Sequence, residues 1–254
     1  MARFVVALSL SLLTSLALAQ NSSLSTPQAA DILRQAITAM GCSAPSDLTA
    51  TGTITTTTGS ATDSGTLVVM TRGTDQTSEQ IQTSSLAATL VYSRGIAAQI
   101  QGNSVTSLPN ESGVTTQSAD FPLPLLVGML NDPNAAYRYV GLEAMNGANV
   151  HHVRLWKIFA SAPVLTALAS FSVRDIWLDA ALGLPLRISY SNHFAQGAAS
   201  SVAFDVIFSN YASVNGVQFP FLITKSVNGT PWATITITNV VLNTGLTDAN
   251  FPVN

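Results

Sequence analysis

The sequence predicts an α+β domain in which two or three helices lie against one face of a large curved antiparallel sheet. Three observations lead to this fold class. Short β-branched segments recur along most of the chain, Asn-Gly pairs join several of them, and the few helical segments are strongly apolar. Because the turns between the first five strand candidates are only a few residues long, an antiparallel order is favoured over parallel crossovers.

The N-terminal segment predicts a secretory signal peptide. Arg3 supplies a positive charge, an apolar stretch follows over Phe4–Leu13, and Ala17 and Ala19 give the small-x-small pattern of a cleavage site. An uncleaved anchor helix is the weaker alternative, because serine and threonine interrupt the stretch. We therefore expect residues 1–19 to be removed, leaving 20–254 as a single exported domain, periplasmic or extracellular.

Cys42 is the single cysteine of the chain. It lies too far beyond the apolar stretch to carry a lipid anchor, and it has no second thiol with which to form a disulfide. We expect a small buried side chain rather than a reactive thiol, because no neighbouring histidine or basic cluster would activate it.

Three segments are helical in pattern. Pro27–Met40 has a capping residue in Thr26 and apolar residues at helical spacing, which predicts an amphipathic helix docked on the core. Leu123–Leu130 follows two prolines and is nearly all apolar, as is typical of a helix that is buried or covers an apolar cavity. A third patch, Pro163–Ser170, lies in the longest gap between the later strand candidates.

Twelve segments predict strands, and three Asn-Gly pairs predict hairpin turns between some of them. The five candidates before the apolar helix are Leu48–Thr58, Gly65–Arg72, Gln76–Thr83, Ala88–Ser93 and Ile96–Gln101. The seven after it are Tyr137–Met145, Ala148–Lys157, Ser172–Asp179, Pro185–Asn192, Val202–Ala212, Val217–Val227 and Trp232–Leu242. The turn pairs are Asn146-Gly147, Asn215-Gly216 and Asn228-Gly229.

The composition excludes two classes of function. Charged residues make up 9% of the chain, hydrophobic residues 47%, and the mean hydropathy is +0.34, while serine and threonine supply most of the polarity. Beyond the N-terminal segment no apolar run approaches the roughly 18 residues of a membrane-spanning helix, which excludes a polytopic membrane protein. A net charge of −3 without clusters of Lys or Arg excludes nucleic acid as a partner.

Candidate catalytic residues are few. The sequence has no nucleophile elbow, phosphate-binding loop, dinucleotide fingerprint or zinc-protease motif. His151 and His152 are adjacent on a predicted strand, so they point to opposite faces and are poorly placed to share a metal ion. Asp175 and Asp179 lie on one face of a strand, yet nothing else supports a catalytic carboxylate pair. We therefore expect neither an enzyme, nor a metal, nor a cofactor.

Four arginines each lie in a different strand candidate, flanked by apolar residues: Arg138, Arg154, Arg174 and Arg187. Two interpretations stay open. They are surface residues, or they close one end of a cavity and meet an acidic head group.

Four stretches of the C-terminal half carry turn and strand signatures that occur together in one known family. They are Tyr137–Leu155 with its Gly141-x-Glu143 hairpin, Ile176–Ile188 with Gly183-Leu184-Pro185, Tyr211–Pro220 with its Asn-Gly turn, and the terminal Leu246–Phe251. This set resembles the outer-membrane lipoprotein carriers, the LolA/LolB-like proteins. The match covers about half of the chain that would remain after cleavage.

The resemblance implies an incomplete β-barrel whose helices plug the concave face, which in the carriers holds acyl chains. We therefore expect an exported, non-enzymatic monomer that holds a lipid, a lipoprotein acyl chain or another apolar ligand and contacts an envelope membrane peripherally. The residues expected to line the cavity are Phe121, Leu123, Leu125, Leu126, Met129, Leu130, Trp156, Trp177 and Phe208.

Two other functions stay open. An envelope structural or protein-interaction domain would have a fully packed core and no ligand. An enzyme would need Asp175, Asp179 and the arginines to meet in one cleft. Whether the concave face is hollow or packed distinguishes the carrier from the interaction domain.

Overall fold

The computed structural model describes residues 25–108, 120–159, 162–192 and 202–253. The expected signal peptide lies outside the described residues. The strands of the first half are β1 (Asp47–Thr58), β2 (Ala61–Arg72), β3 (Gln76–Thr83), β4 (Ala87–Ser93), β5 (Ile96–Gln101) and β6 (Ser104–Ser107). Those of the second half are β7 (Ala135–Met145), β8 (Ala148–Lys157), β9 (Arg174–Asp179), β10 (Pro185–Asn192), β11 (Val202–Val214), β12 (Val217–Val227) and β13 (Thr230–Leu242).

All thirteen strands of the described residues form one antiparallel sheet, in the order β6-β5-β4-β3-β2-β1-β13-β12-β11-β10-β9-β8-β7. Each half is a meander in which consecutive strands pair, and β1 pairs with β13 to join the halves. The edge strands β6 and β7 do not pair with each other in the described ranges, so the sheet is open. The predicted large antiparallel sheet is confirmed, with β6 as a strand that the sequence did not predict.

The three Asn-Gly pairs form the predicted hairpin turns. At Asn146 and Gly147 the φ angles are 51° and 83°, and the pairs at Asn215 and Asn228 have the same combination of positive φ values. A two-residue type I′ turn requires positive φ at both positions, which asparagine and glycine adopt at low cost. These turns connect β7 to β8, β11 to β12, and β12 to β13.

The sheet curves strongly, and one ion pair across its interior shows how much. The Nζ of Lys225 on β12 lies 2.9 Å from Oε1 of Glu79 on β3. Four inter-strand steps separate these strands, which in a flat sheet would place them about 19 Å apart at about 4.8 Å per step. The two strands therefore face each other across the concave face, which is the incomplete barrel that the family resemblance implies.

Two α-helices lie on this concave face. Helix α1 (Pro27–Ala39) begins at Thr26, whose Oγ1 accepts a hydrogen bond from the amide of Ala29, and buries Leu33 and Ala36 among other side chains. Helix α2 (Pro122–Asn131) buries six of its side chains. The helices contact each other and both contact β7. None of the helices described is long and apolar enough to cross a membrane.

Two local expectations need correction. The third helical patch is a 3₁₀ helix, Pro163–Ser172, so the described residues contain two α-helices. Val164 in that segment is 87% exposed, and the segment lacks the continuous buried face that packs an α-helix on a core. Cys42 is exposed rather than buried, because Gly41 and Cys42 both adopt positive φ where the chain turns away from the end of α1.

Candidate ligand-binding face

The concave face of the sheet is apolar because alternate residues of each strand point to it. On β12, Phe219 and Ile223 point inward and belong to one continuous core with the buried side chains of α1 and α2. Phe208 on β11 lies opposite Ile223 and joins the same core. The strands thus present a broad apolar surface, and the two helices cover it.

Seven of the nine residues predicted to line a cavity come together on this face. Phe121, Leu123, Leu125, Leu126, Met129 and Phe208 are each 3% exposed or less and lie in the main core, and Leu130 packs against it. The ring of Phe121 meets that of Phe219 edge to face, with centroids 5.9 Å apart. The segment at the start of α2 therefore packs closely against the sheet.

The contact between α2 and the sheet is close. A pocket of about 10 Å³ lies beside Phe121, Pro124 and Leu125. That volume is at the lower limit of about 10–15 Å³ needed to hold one water molecule. With α2 in this position, an acyl chain has no room at this point of the concave face.

The two predicted tryptophans lie apart from these residues, on the convex face. Trp177 sits between the inward-pointing Ile176 and Leu178 of β9, so its own side chain points outward. Trp156 is on the convex side of β8, where the guanidinium of Arg138 lies 5.8 Å from its ring centroid in a surface pocket of about 530 Å³.

Charged side chains also lie within the concave face. The Nζ of Lys225 is 2.9 Å from Oε1 of Glu79 and 2.9 Å from Oδ1 of Asp120, and all three side chains are close to fully buried. Asp120 directly precedes Phe121 and α2, so this ion pair holds the start of the helix to the sheet. Neither Glu79 nor Lys225 was predicted as a site residue.

Two tyrosines and an arginine extend this group. We call the set the interior polar cluster: Glu79, Tyr92, Asp120, Arg174, Tyr190 and Lys225. Burial raises the pKa of Tyr190 to about 12, and burial also raises the pKa of Glu79. Burial would lower the pKa of Lys225, but the charges of Asp120 and Glu79 outweigh it and raise that pKa well above its ordinary value.

The convex face carries a second cluster, centred on His152. Its Nδ1 lies 2.7 Å from Glu143 and its Nε2 2.8 Å from Asp175, while the ring stacks on Trp177 with centroids 4.4 Å apart. Arg154 donates two hydrogen bonds of 2.9 Å to Asp175. We call these residues the convex histidine cluster.

The structure separates the two aspartates, Asp175 and Asp179, and the two histidines, His151 and His152, that the sequence analysis considered. Asp179 accepts hydrogen bonds from the amides of Ala181 and Leu182 in a turn, whereas Asp175 belongs to the convex histidine cluster. His151 contacts Tyr139 instead of sharing a site with His152. In the described ranges no three side chains of the metal-binding types are grouped to hold an ion.

The convex histidine cluster predicts a pH dependence of stability. Burial raises the pKa of Asp175, but hydrogen bonds from Arg154 and His152 outweigh it and lower the pKa. Trp177 and then His152 likewise lower the pKa of Glu143. A carboxyl group with a lowered pKa stabilises the fold above its unfolded value, near pH 4, and loses that contribution as the pH falls further. At pH 7 the free energy of unfolding of wild type should therefore be larger than that of Asp175→Asn.

Urea unfolding of both proteins between pH 7 and pH 3 measures this effect. The difference between wild type and Asp175→Asn should shrink as the pH falls below about 5. Glu79 works in the opposite sense because its pKa is raised, but it is present in both proteins and largely cancels in the difference. A difference that stays constant across this range would contradict the assignment.

Comparison with known proteins places the fold. No protein-family model matches the chain, and no curated protein sequence matches it. An outer membrane lipoprotein-sorting protein domain from Vibrio parahaemolyticus has a TM-score of 0.62 at 10% identity, over 88% of this chain and 96% of that chain. A LolA superfamily protein from Nitrosomonas europaea has a TM-score of 0.58 at 12% identity, over 88% and 97%.

A third solved structure, a DUF1329 family protein from Desulfovibrio piger, has a TM-score of 0.58 at 12% identity, over 89% of this chain and 98% of that chain. At such identities the likeness concerns the fold. The chain shares the architecture of these proteins over nearly its whole described length, which confirms the LolA-like fold that the C-terminal signatures predicted.

Proposed function

We propose, on the premise that the chain has a LolA-like fold, that it is an exported, non-enzymatic carrier of a lipid or another apolar ligand. The observation that carries the proposal is the packing of α2. An almost entirely apolar helix covers the apolar concave face of an open sheet.

The mechanism we propose is exchange of one apolar surface for another. When α2 moves off the sheet, the side chains beneath it lose their cover, and an acyl chain can take its place. Each buried methylene contributes about 0.8 kcal/mol, so a long acyl chain replaces the contacts of several α2 side chains. The acyl chain then lies between the sheet and the displaced α2, so the residues proposed to meet it are Phe208 on the sheet and, on the α2 segment, Phe121, Leu123, Leu125, Leu126, Met129 and Leu130.

A crosslink that holds α2 on the sheet tests this mechanism. A Cβ placed on Gly128 would lie 2.9 Å from the Cβ of Thr74, and a disulfide needs about 3.5–4.5 Å, so a helix shift of about 1 Å suffices. In a Cys42→Ser background, Gly128→Cys with Thr74→Cys should lose binding of a fluorescent fatty acid when oxidised and regain it on reduction. The two single variants are the controls, and equal binding in both redox states would overturn the exchange mechanism.

A second candidate is an envelope interaction domain without a ligand. The tight packing beside Phe121 favours it, as do Val140 and Leu142, which are 49% and 57% exposed on the edge strand β7. Mass spectrometry of lipids extracted from the purified protein, together with fluorescent fatty-acid binding, separates the two. Repeated recovery of no lipid and no binding of the probe would reject the carrier and leave the interaction domain.

Export and domain organisation are part of the proposal. Residues 1–19 would be removed, and 20–254 would act as one monomeric domain that meets an envelope membrane peripherally. The intact mass of the protein recovered from the producing cell's envelope or medium gives the cleavage point. A mass that includes Arg3 would exclude cleavage.

A further inference from the structure

Three neighbouring strands each carry one arginine, and two of these pair with a carboxylate in the same way. On β8, Arg154 donates from Nε and Nη2 to the two oxygens of Asp175, at 2.9 Å each. On β10, Arg187 donates from Nε and Nη2 to Oδ1 of Asp205, at 3.0 and 2.6 Å. Both pairs lie on the convex face, and both use the same edge of the guanidinium.

Arg174 on β9 differs from its two neighbours. It shares the inward face of the strand with Ile176 and Leu178, and it is only 4% exposed. Its Nη1 donates to the backbone carbonyl of Ser172 at 3.2 Å, while its buried Nε has no hydrogen-bond partner. Across the described part of the chain no acidic side chain forms an ion pair with it.

The other interior cation already has its counter-charges. Both Glu79 and Asp120 lie 2.9 Å from the Nζ of Lys225, and neither acid forms an ion pair with Arg174 in the described residues. Two tyrosines, Tyr190 and Tyr92, interact electrostatically with Arg174, and its guanidinium carbon lies 5.5 Å from the ring centroid of Tyr190. A buried guanidinium with a free donor is unfavourable unless an anion joins it.

The geometry of the free donor indicates the kind of anion. The free Nε of Arg174 belongs to the guanidinium edge with which Arg154, on the next strand, binds a planar carboxylate in a fork. Ile176 and Ile188 lie side by side in the core next to Arg174. An anion held here would therefore have an apolar chain beside it, on the concave face.

We propose that Arg174 binds the carboxylate of a long-chain fatty acid whose acyl chain lies along the concave face. This inference rests on the proposed carrier function and names the class of its ligand. Of the four arginines that the sequence analysis considered, Arg174 would then meet an acidic head group. The other three lie on the convex face.

Competition against a neutral apolar fluorophore, N-phenyl-1-naphthylamine, tests the inference with dodecanoate and 1-dodecanol. Wild type should bind dodecanoate at least tenfold more tightly than the alcohol. Arg174→Gln should weaken dodecanoate binding at least tenfold, and leave the affinity for the alcohol unchanged. Arg138→Gln is the matched control, because Arg138 is exposed and has no acidic partner in the described ranges, and it should change neither affinity.

The outcomes separate the two proposals. If neither compound binds wild type, the carrier function itself fails. If both bind equally well and Arg174→Gln changes neither affinity, the carrier function stands and the role of Arg174 is wrong. Equal binding of the acid and the alcohol by wild type would overturn the role of Arg174 even if Arg174→Gln does not fold.

Stability gives an independent readout of a binding role. Arg174→Met removes an unpaired buried charge, so its ligand-free melting temperature should equal or exceed that of wild type while dodecanoate binding falls. A lower melting temperature with unchanged preference for the acid would show that Arg174 serves the fold and not the ligand.

Discussion

Lys225→Met is expected to lower the free energy of unfolding by about 3–5 kcal/mol, because it leaves two carboxylates buried without their cation. Glu79 and Asp120 each lie 2.9 Å from the Lys225 nitrogen, and the Lys225 pair with Glu79 bridges the two halves of the sheet. Urea unfolding followed by circular dichroism measures the loss. The methionine keeps most of the side-chain volume, so the effect reports the charge.

Neutralising the acids tests the cause of this loss. Adding Glu79→Gln and Asp120→Asn to Lys225→Met should recover a large part of the stability, because no buried charge then lacks a partner. Lys157→Met is the matched control, since its nitrogen is 3.9 Å from Asp132 in a looser pair, and it should cost less than about 1 kcal/mol. If the triple variant is less stable than Lys225→Met, the electrostatic explanation is incorrect.

Phe121→Ala should cost about 3–5 kcal/mol, because it opens a cavity in a closely packed part of the core. The ring is 1% exposed and packs edge to face against Phe219. Thermal unfolding compared with Leu182→Ala, whose side chain is 66% exposed, measures the contribution of burial. The control should stay within about 0.5 kcal/mol of wild type.

The same variant bears on the ligand. The space left by the ring lies on the face proposed to hold acyl chains, so Phe121→Ala should regain more stability from added dodecanoate than wild type does. If Phe121→Ala lowers the free energy of unfolding by less than about 1 kcal/mol, the start of α2 is loosely attached to the sheet in wild type. Equal stabilisation of both proteins by dodecanoate would place the ligand elsewhere.

Much of the sheet could be predicted because its signals are local. The Asn-Gly turns require positive φ at two successive residues, and few other pairs adopt that conformation readily. Strand β6 was missed because Ser104–Ser107 is exposed on every residue and has no alternation. The 3₁₀ geometry of Pro163–Ser172 likewise leaves no clear trace in composition.

The apolar part of the candidate site was predictable for a similar reason. Six of its residues lie in one uninterrupted segment, so any docking of that segment brings them together. The positions of the two tryptophans were not predicted, although the alternation of inward and outward residues along a strand indicates them. Ile176 and Leu178 are inward, so Trp177 between them points outward.

The interior polar cluster could not be assembled from the sequence alone. Lys225 continues the inward-facing series of Phe219 and Ile223, and Glu79 precedes the inward Ile81 by two residues. That pattern marks each as a charged residue in a core position. Their contact depends on curvature over four strand intervals, which no local pattern encodes.

The seam between β1 and β13 sets the order in which the molecule can assemble. Within each meander, the strands that pair are consecutive in the chain and most are joined by short turns, whereas the seam brings Leu48 to Leu242. Closing so long a loop is slow compared with forming hairpins. Lys225 and Glu79 belong to different meanders, so the concave face is completed only when the seam closes. Until then its apolar strands lack their cover, which makes the unjoined halves the aggregation-prone stage of refolding.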